Sequence, residues 1–320
     1  MVCHQSFTRK KRQIVSFADF IGFHRLIVGI YNREGLTNYY QVSRVTLSCR
    51  FKIFFDNPVG PKIVWNIFPP DFPKPWVYGV DGKWLRRQGV FIIHRNITTK
   101  ENIYWSYAPS ESYLALYRDM ETITNISGFV FPVGAISDWK GSIVAAVSSY
   151  LGPVPHQRCL THVERTAKNL LPKNSPFLAT LILRSIAEQL ITVTNEKEKE
   201  EWLEKLDHWK NEHGMMLTEK TTSFDTKRRW WYTHGNLRRG YNLLSKGQEP
   251  FFVHLINPLI PKSNNSVEGV ISQASGKLSD HRGMKTEQQV SFLSWYMAFS
   301  RIKTKQDLRK LWGAWRKMKK

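Results

Sequence analysis

A mixed α/β fold is predicted for this chain by three observations. The runs Trp76 to Leu85, Gly89 to Asn96 and Glu101 to Tyr107 are rich in Val, Ile, Tyr, Phe and Trp and are separated by Gly or polar turns, so they read as an antiparallel meander. Behind them, helical and strand-like spacings alternate. Ahead of them, Pro58, Pro61, Pro69, Pro70, Pro73 and Pro75 close a stretch whose spacing is helical throughout.

The charge narrows the partners. Among 320 residues, 47 are basic and 26 acidic, a formal net charge of +21. A surplus of that size attracts polyanions, nucleic acid first. A membrane partner is not expected, because no apolar run approaches the roughly 20 residues that span a bilayer. Cys3, Cys49 and Cys159 are too few and too scattered for a disulfide framework, and the N-terminus lacks the segments of a secretory signal, so a reducing cytoplasm is expected. The twelve tryptophans serve a core, and beside Arg and Lys they also suit stacking on exposed bases.

In chain order, residues 1–15 read as a basic arm carrying Arg9 to Arg12. Cys3 alone makes no structural zinc site, which needs four ligands. Residues 16–56 show three short helices, the first ended by Gly35. In a helix-turn-helix the last of them presents Arg44, Thr46, Ser48 and Arg50 to DNA, although any compact three-helix unit shows the same spacing. Residues 57–75 read as a stiff proline-rich linker. After the meander a helix runs from Ser112 to about Ile123, then a strand from Phe129 to Ser137. A helix follows from Gly141 to Leu151, a brief strand near His156 to Cys159, and a helix from Thr161 to Leu171. Residues 172–262 are expected to be helical, with Trp202, Leu203, Leu206 and Trp209 on one face of a helix over 195–213. Adjacent Trp230 and Trp231 on a helix cannot share a face, so one of them is expected in the core. Residues 263–320 begin a helix at Ser263 to Ser266, with Glu268 in its first turn, and close with two amphipathic helices.

The most informative stretch is 137–165. Asp138 ends an apolar run and stands before a helix, where a carboxylate either holds a metal or caps the helix. Downstream lie His156-Gln157-Arg158-Cys159-Leu160-Thr161-His162. Upstream is Val80-Asp81-Gly82-Lys83-Trp84; further on come Trp230-Trp231-Tyr232-Thr233-His234-Gly235-Asn236-Leu237-Arg238-Arg239, Asn264-Asn265-Ser266-Val267-Glu268-Gly269 and Asp280-His281-Arg282-Gly283. Taken together, over roughly residues 76 to 300, these blocks resemble the Mutator-like DDE transposases, in particular a bacterial insertion-sequence branch with a Cys-x-x-His signature.

That resemblance implies an α/β fold with a ribonuclease H-like core, a mixed five-stranded sheet flanked by helices. The core would occupy 76–171 and part of 263–320, be interrupted by an all-helical insertion at 172–262, and be preceded by the helix-turn-helix at 16–56. It implies a transposase of a mobile element that hydrolyses DNA at transposon ends and joins them to target DNA. The catalytic and metal-holding residues would be Asp81, Asp138 and Glu268, with two magnesium ions, or manganese in their place. Such chemistry needs carboxylates converging on two cations roughly 3.5 to 4 Å apart, one at the attacking and one at the leaving oxygen. Cys159 and His162, by themselves half a zinc site, would support the centre, and His281 and Arg282 would neutralise a phosphate, where capping and surface pairing are the plainer roles. Arg228, Arg229, Trp230, Trp231, Arg238 and Arg239 would contact DNA, as would Arg44 and Arg50. The reaction joins two ends, so a homo-oligomer on DNA is expected, at the nucleoid of a bacterial cytoplasm. The short N-terminus, without a complete zinc-binding module, raises a second expectation: a truncated, non-catalytic DNA-binding remnant or regulator of a full-length transposase. A structure-specific nuclease on the same fold is a third, separated by its lack of strand transfer.

Overall fold

The first helix starts where the sequence supplies a reciprocal cap. Ser16 Oγ accepts the Asp19 N–H at 3.1 Å, and Asp19 Oδ2 accepts the Ser16 N–H at 3.0 Å. In the computed structural model, which describes residues 15–223, 229–281 and 283–319, α1 (Phe17–Ile27), α2 (Arg33–Tyr40), α3 (Arg44–Asp56) and the short α4 (Pro61–Trp65) come first. The meander follows as β1 (Val77–Leu85), β2 (Gly89–Asn96) and β3 (Glu101–Ala108). Then come α5 (Tyr113–Thr124), β4 (Gly134–Ser137), α6 (Gly141–Leu151), β5 (His156–Arg158) and α7 (Leu160–Leu170). Beyond them lie α8 (Leu178–Gln189), α9 (Glu196–His213), β6 (Lys220–Thr222), β7 (Trp230–Tyr232), α10 (Gly235–Ser245) and the single turn α11 (Val253–Ile256). The chain closes with α12 (Asn265–Ser279), α13 (Thr286–Phe299) and α14 (Lys305–Met318). No described helix is long and apolar enough to cross a membrane. The basic arm with Arg9 to Arg12 lies outside the described residues.

Several expectations change. Gly35 does not end the first helix; it sits in the first turn of α2, where its N–H donates to the capping Asn32 Oδ1 at 2.7 Å. Residues 57–75 are not a stiff spacer, because Val59, Val64 and Phe72 are buried and Arg301 donates to the Phe68 and Pro69 carbonyls. The strand expected from Phe129 begins only at Gly134.

The chain divides into two compact units, one made of residues up to Pro69 together with those from Gln273, the other of Pro70–Ser272. The domain boundaries expected from sequence therefore shift: the last part of α12, with α13 and α14, belongs with α1 to α4 and not with the sheet. Aromatic packing is the cause. Phe20 and Phe23 meet Trp295 and Phe299 of α13, and Phe54 meets Trp295, with ring centroids 5.5 to 6.3 Å apart, and Trp295 Nε1 donates to the Phe54 carbonyl at 2.8 Å.

In the second unit the five strands stand in the order β3-β2-β1-β4-β5. The first three are antiparallel, and β4 and β5 run parallel to β1. Side chains alternate across the sheet. Tyr78, Val80 and Ala135 pack with Leu116 and Met120 of α5 and Ile143 and Val147 of α6, whereas Val77 and Ile136 pack on the other face with Cys159 and Ile260.

The insertion has its own core, into which Leu160, Val163 and Ala167 of α7 also pack. Trp202 and Trp209 of α9 are anchored by Nε1–H bonds to the Ile186 and Ala179 carbonyls of α8, each 2.8 Å. The insertion is not all-helical: β6 and β7 pair antiparallel, so Trp230 and Trp231 lie on a strand. Neither is core, and Trp230 is 45% exposed. In so short a ribbon the alternate faces both remain open to solvent.

Candidate active site

Strand parity brings the first two acids together. In β1, Val77, Gly79 and Asp81 share the face that looks away from α5 and α6. The parallel register sets Val77 beside Gly134 and Gly79 beside Ile136, so two residues further Asp138 stands opposite Asp81. Adjacent strands are about 4.8 Å apart, and the Asp138 charge is felt at the Asp81 carboxyl. Asp138 is not the cap of α6. That position is Lys140, and Asp138 Oδ1 accepts the Lys140 N–H at 3.0 Å, closing a tight turn. Trp139 within the turn has φ 69°, a left-handed conformation seldom taken by so bulky a residue and frequent at functional sites.

The third acid arrives on α12, held by the loop before it. The Leu160 N–H donates to the Lys262 carbonyl at 3.0 Å, the Asn264 N–H donates to Cys159 Sγ at 3.1 Å, and Asn264 Nδ2 donates to the Val80 carbonyl at 3.0 Å. Position 79 is tightly covered: a Cβ there would lie 2.4 Å from Ile97 Cδ1 and 3.1 Å from Asn264 Oδ1. On α7, residues Cys159, His162 and Arg165 recur every third position and share a face. His162 stands between the acids, with Nε2 3.9 Å from Asp81 Oδ2 and Nδ1 3.2 Å from Glu268 Oε1. Cys159 Sγ lies 3.6 Å from the same Oε1, and Arg165 Nη2 donates to Glu268 Oε2 at 2.7 Å.

Charge accumulates at this point. Asp81, 7% exposed, is pushed up to about 7 by burial, with the negative charges of Asp138, Glu268 and Glu111 adding to the effect against the Gly82 N–H bond. Burial also raises Glu111, opposed by Lys140, whose Nζ lies 2.9 Å from Glu111 Oε2. Arg158 is lowered by burial, with Asp138 acting in the other direction. Burial pushes the Cys159 thiol up to about 11 against the Asn264, His162 and Thr161 N–H groups. Asp81 is the driest of the three acids expected from sequence, Asp138 and Glu268 being half-buried, and a cation beside it would favour its ionised form. Oxygen donors of this kind fit a hard divalent ion such as magnesium.

Of the residues expected from sequence, Asp81, Asp138, Glu268, Cys159 and His162 gather in this one place. His281 does not: it belongs to the helical unit, buried against Phe292 with a ring distance of 5.3 Å. Its helix end packs with that unit's aromatic core. Arg282 and Arg228 lie outside the described residues. Glu111, Lys140, Arg158, Arg165 and Asn264 were missed. Only Arg165 had a signal, the three-residue spacing from His162; the others sit at loop and strand ends that carry no period.

Two further surfaces hold the remaining residues. On α3, Arg44, Thr46 and Ser48 are exposed, whereas Arg50 pairs with Asp19 at 3.5 Å. On the β6–β7 ribbon, Lys220 Nζ stands 4.4 Å from the centre of the Trp230 ring, and the Arg238 guanidinium 4.0 Å from that of Tyr232. Arg238 also donates to the Leu217 carbonyl at 2.9 Å, Arg239 pairs with Asn236, and Arg229 and Arg239 are exposed. Compared with models of known protein families and with curated proteins, the chain matches none.

Proposed function

We propose that the chain is a DDE-type DNA transposase, cutting phosphodiesters at the ends of a mobile element and joining the freed 3′-hydroxyl to target DNA. The observation that carries this reading is the convergence of Asp81, Asp138 and Glu268, three acids far apart in sequence, on one face of the sheet. The strand order, with an antiparallel meander followed by two strands parallel to the first, fits a ribonuclease H-like core. The net charge of +21 suits a DNA partner.

Asp81, Asp138 and Glu268 would hold magnesium, which when bound supplies charge stabilisation for an in-line displacement at phosphorus and an activated oxygen nucleophile. His162 spaces Asp81 from Glu268. Arg165 and Lys140 keep the Glu268 and Glu111 side chains extended from α12 and the α5 entry, so the carboxyls do not fold away from the sheet end. Burial excludes bulk water from Asp81, which strengthens each charge interaction around it. The ribbon with Trp230 offers a half-exposed aromatic ring, with Lys220 against it and Arg238 over the neighbouring Tyr232, on which an unpaired base at a transposon end can stack. Arg44, Thr46 and Ser48 of α3 offer a second contact, to duplex DNA. Joining two ends calls for at least two copies of the chain on the DNA.

Asp138→Ala tests the proposal. With magnesium and a duplex carrying the element's ends, strand cleavage should fall by at least about a thousandfold while DNA affinity is kept. Cleavage unchanged by Asp138→Ala would remove the carboxylate mechanism. DNA binding with no cleavage by the parent chain would favour a non-catalytic regulator, and cleavage without strand transfer a nuclease.

A further inference from the structure

The Cys159 and His162 pair has a geometry that support of the acids does not require. Cys159 Sγ, a His162 ring nitrogen and a Glu268 carboxylate oxygen all lie within 4.8 Å of one another. Cys159 stands at the N-cap of α7, so the Thr161 and His162 N–H groups face its sulfur, as does the Asn264 N–H at 3.1 Å. These donors only partly offset burial, which keeps the thiol protonated while no cation is bound. His162 Nδ1 is buried and makes no hydrogen bond, although Glu268 Oε1 stands 3.2 Å away. A buried ring nitrogen without a partner is uncommon unless something else occupies its lone pair. The other ring nitrogen looks toward Asp81 Oδ2 at 3.9 Å, the kind of outer carboxylate that orients a metal-bound histidine. Glu268 enters the group through Oε1, leaving Oε2 with Arg165.

We propose that Cys159, His162 and Glu268 bind one thiophilic divalent cation of the zinc class, which withdraws Glu268 from the carboxylate set and so holds the centre inactive. Sulfur, nitrogen and a single oxygen are the ligands such a cation selects, and three protein ligands leave a fourth position open. Magnesium, which seeks an oxygen shell, gains nothing from the thiol. On binding, the Cys159 thiol releases its proton to solvent and Sγ becomes the ligand. Because Glu268 belongs to both sets of ligands, the two cations exclude one another. This consequence for activity rests on the transposase reading; the binding itself does not.

The test is a cobalt(II) titration of the full chain, read as thiolate-to-cobalt charge-transfer absorbance. The Cys3→Ser, Cys49→Ser double variant should show the band and saturate at one equivalent; Cys159→Ser should lack it. His162→Gln changes a side chain that is 22% exposed and leaves the thiol in place, so it serves should Cys159→Ser fail to fold, and it should weaken cobalt binding by at least about tenfold. A band that survives Cys159→Ser, an affinity unmoved in His162→Gln, or no band in the double variant would overturn the site. In the second arm, one equivalent of zinc should suppress magnesium-dependent strand cleavage and a chelator restore it. Cleavage indifferent to zinc, with the cobalt band present, would overturn the exclusion. A cobalt band with no cleavage under any condition would sink the transposase reading and leave the metal site standing.

Discussion

Replacing Asp81 by Asn should make the protein more stable, by an amount that grows as pH rises above about 4 and is largest at neutral and alkaline pH. The carboxyl's ordinary value is 3.8 and the fold holds it at about 7. In the folded chain the group keeps its proton to higher pH than in the unfolded chain. The unfolded state therefore gains by ionising as pH rises from 3.8 to about 7, and the folded state loses stability across that window. At about 1.36 kcal/mol per pH unit, the gap of about 3 corresponds to about 4 kcal/mol at pH 8, about 1 to 2 kcal/mol at pH 5 and almost nothing at pH 3. Asn is nearly the same size, and its Oδ1 can still accept the Gly82 N–H now bonded at 2.8 Å. For a unit running from Pro70 to Ser272, 1 kcal/mol moves a melting midpoint by about 2–4 °C, so up to about 8–16 °C is expected at pH 8. Thermal and urea melts of both proteins at pH 4 and pH 8, without divalent ions, measure it. Magnesium should then narrow the difference at pH 8, since a bound cation favours the ionised carboxyl. An equal gain at both pH values, or a loss at pH 8, would refute the argument from burial and like charge.

Three other outcomes follow from the same geometry. Arg165→Ala removes an ion pair whose cationic side chain is 56% exposed. Stability should change by no more than about 1 kcal/mol, and the magnesium needed for half-maximal strand cleavage should rise several-fold, because Glu268 is no longer held toward the sheet end; an unchanged or lower requirement would mean that Arg165 does not position the acid. Trp230→Ala should weaken single-stranded DNA binding by about 1–3 kcal/mol without shifting the melt, and fluorescence titration would show an unaltered affinity if the ribbon does not stack on bases. Trp295→Ala takes a fully buried ring and its bond to the Phe54 carbonyl from the helical unit. It should cost about 3–5 kcal/mol by urea melt, and a value under about 1 kcal/mol would contradict the packing described.

Much of the local structure was legible in the residues themselves. The β-branched and aromatic composition of Val77 to Leu85, the start of a helix at Ser112, the run Gly141 to Leu151 and the apolar face of the helix over 195–213 each specify an element through contacts only a few residues long. Asp138 at a strand end and Glu268 in a helix's first turn could be read in the same way. Trp230 and Trp231 could not, because a three-residue strand is too short to display a period and takes its conformation from β6. Only the tertiary structure set Asp138 beside Asp81 through the β1–β4 register. It alone added Glu111 to the acids, turned Arg165 onto Glu268, and drew α13 and α14 to α1 and α3. A helix or strand repeats its environment along the chain, so periodicity reports it. A site assembled from strand ends, loop residues and one helix face has no repeat, and its members meet only because burial of distant apolar faces leaves no other arrangement of the backbone.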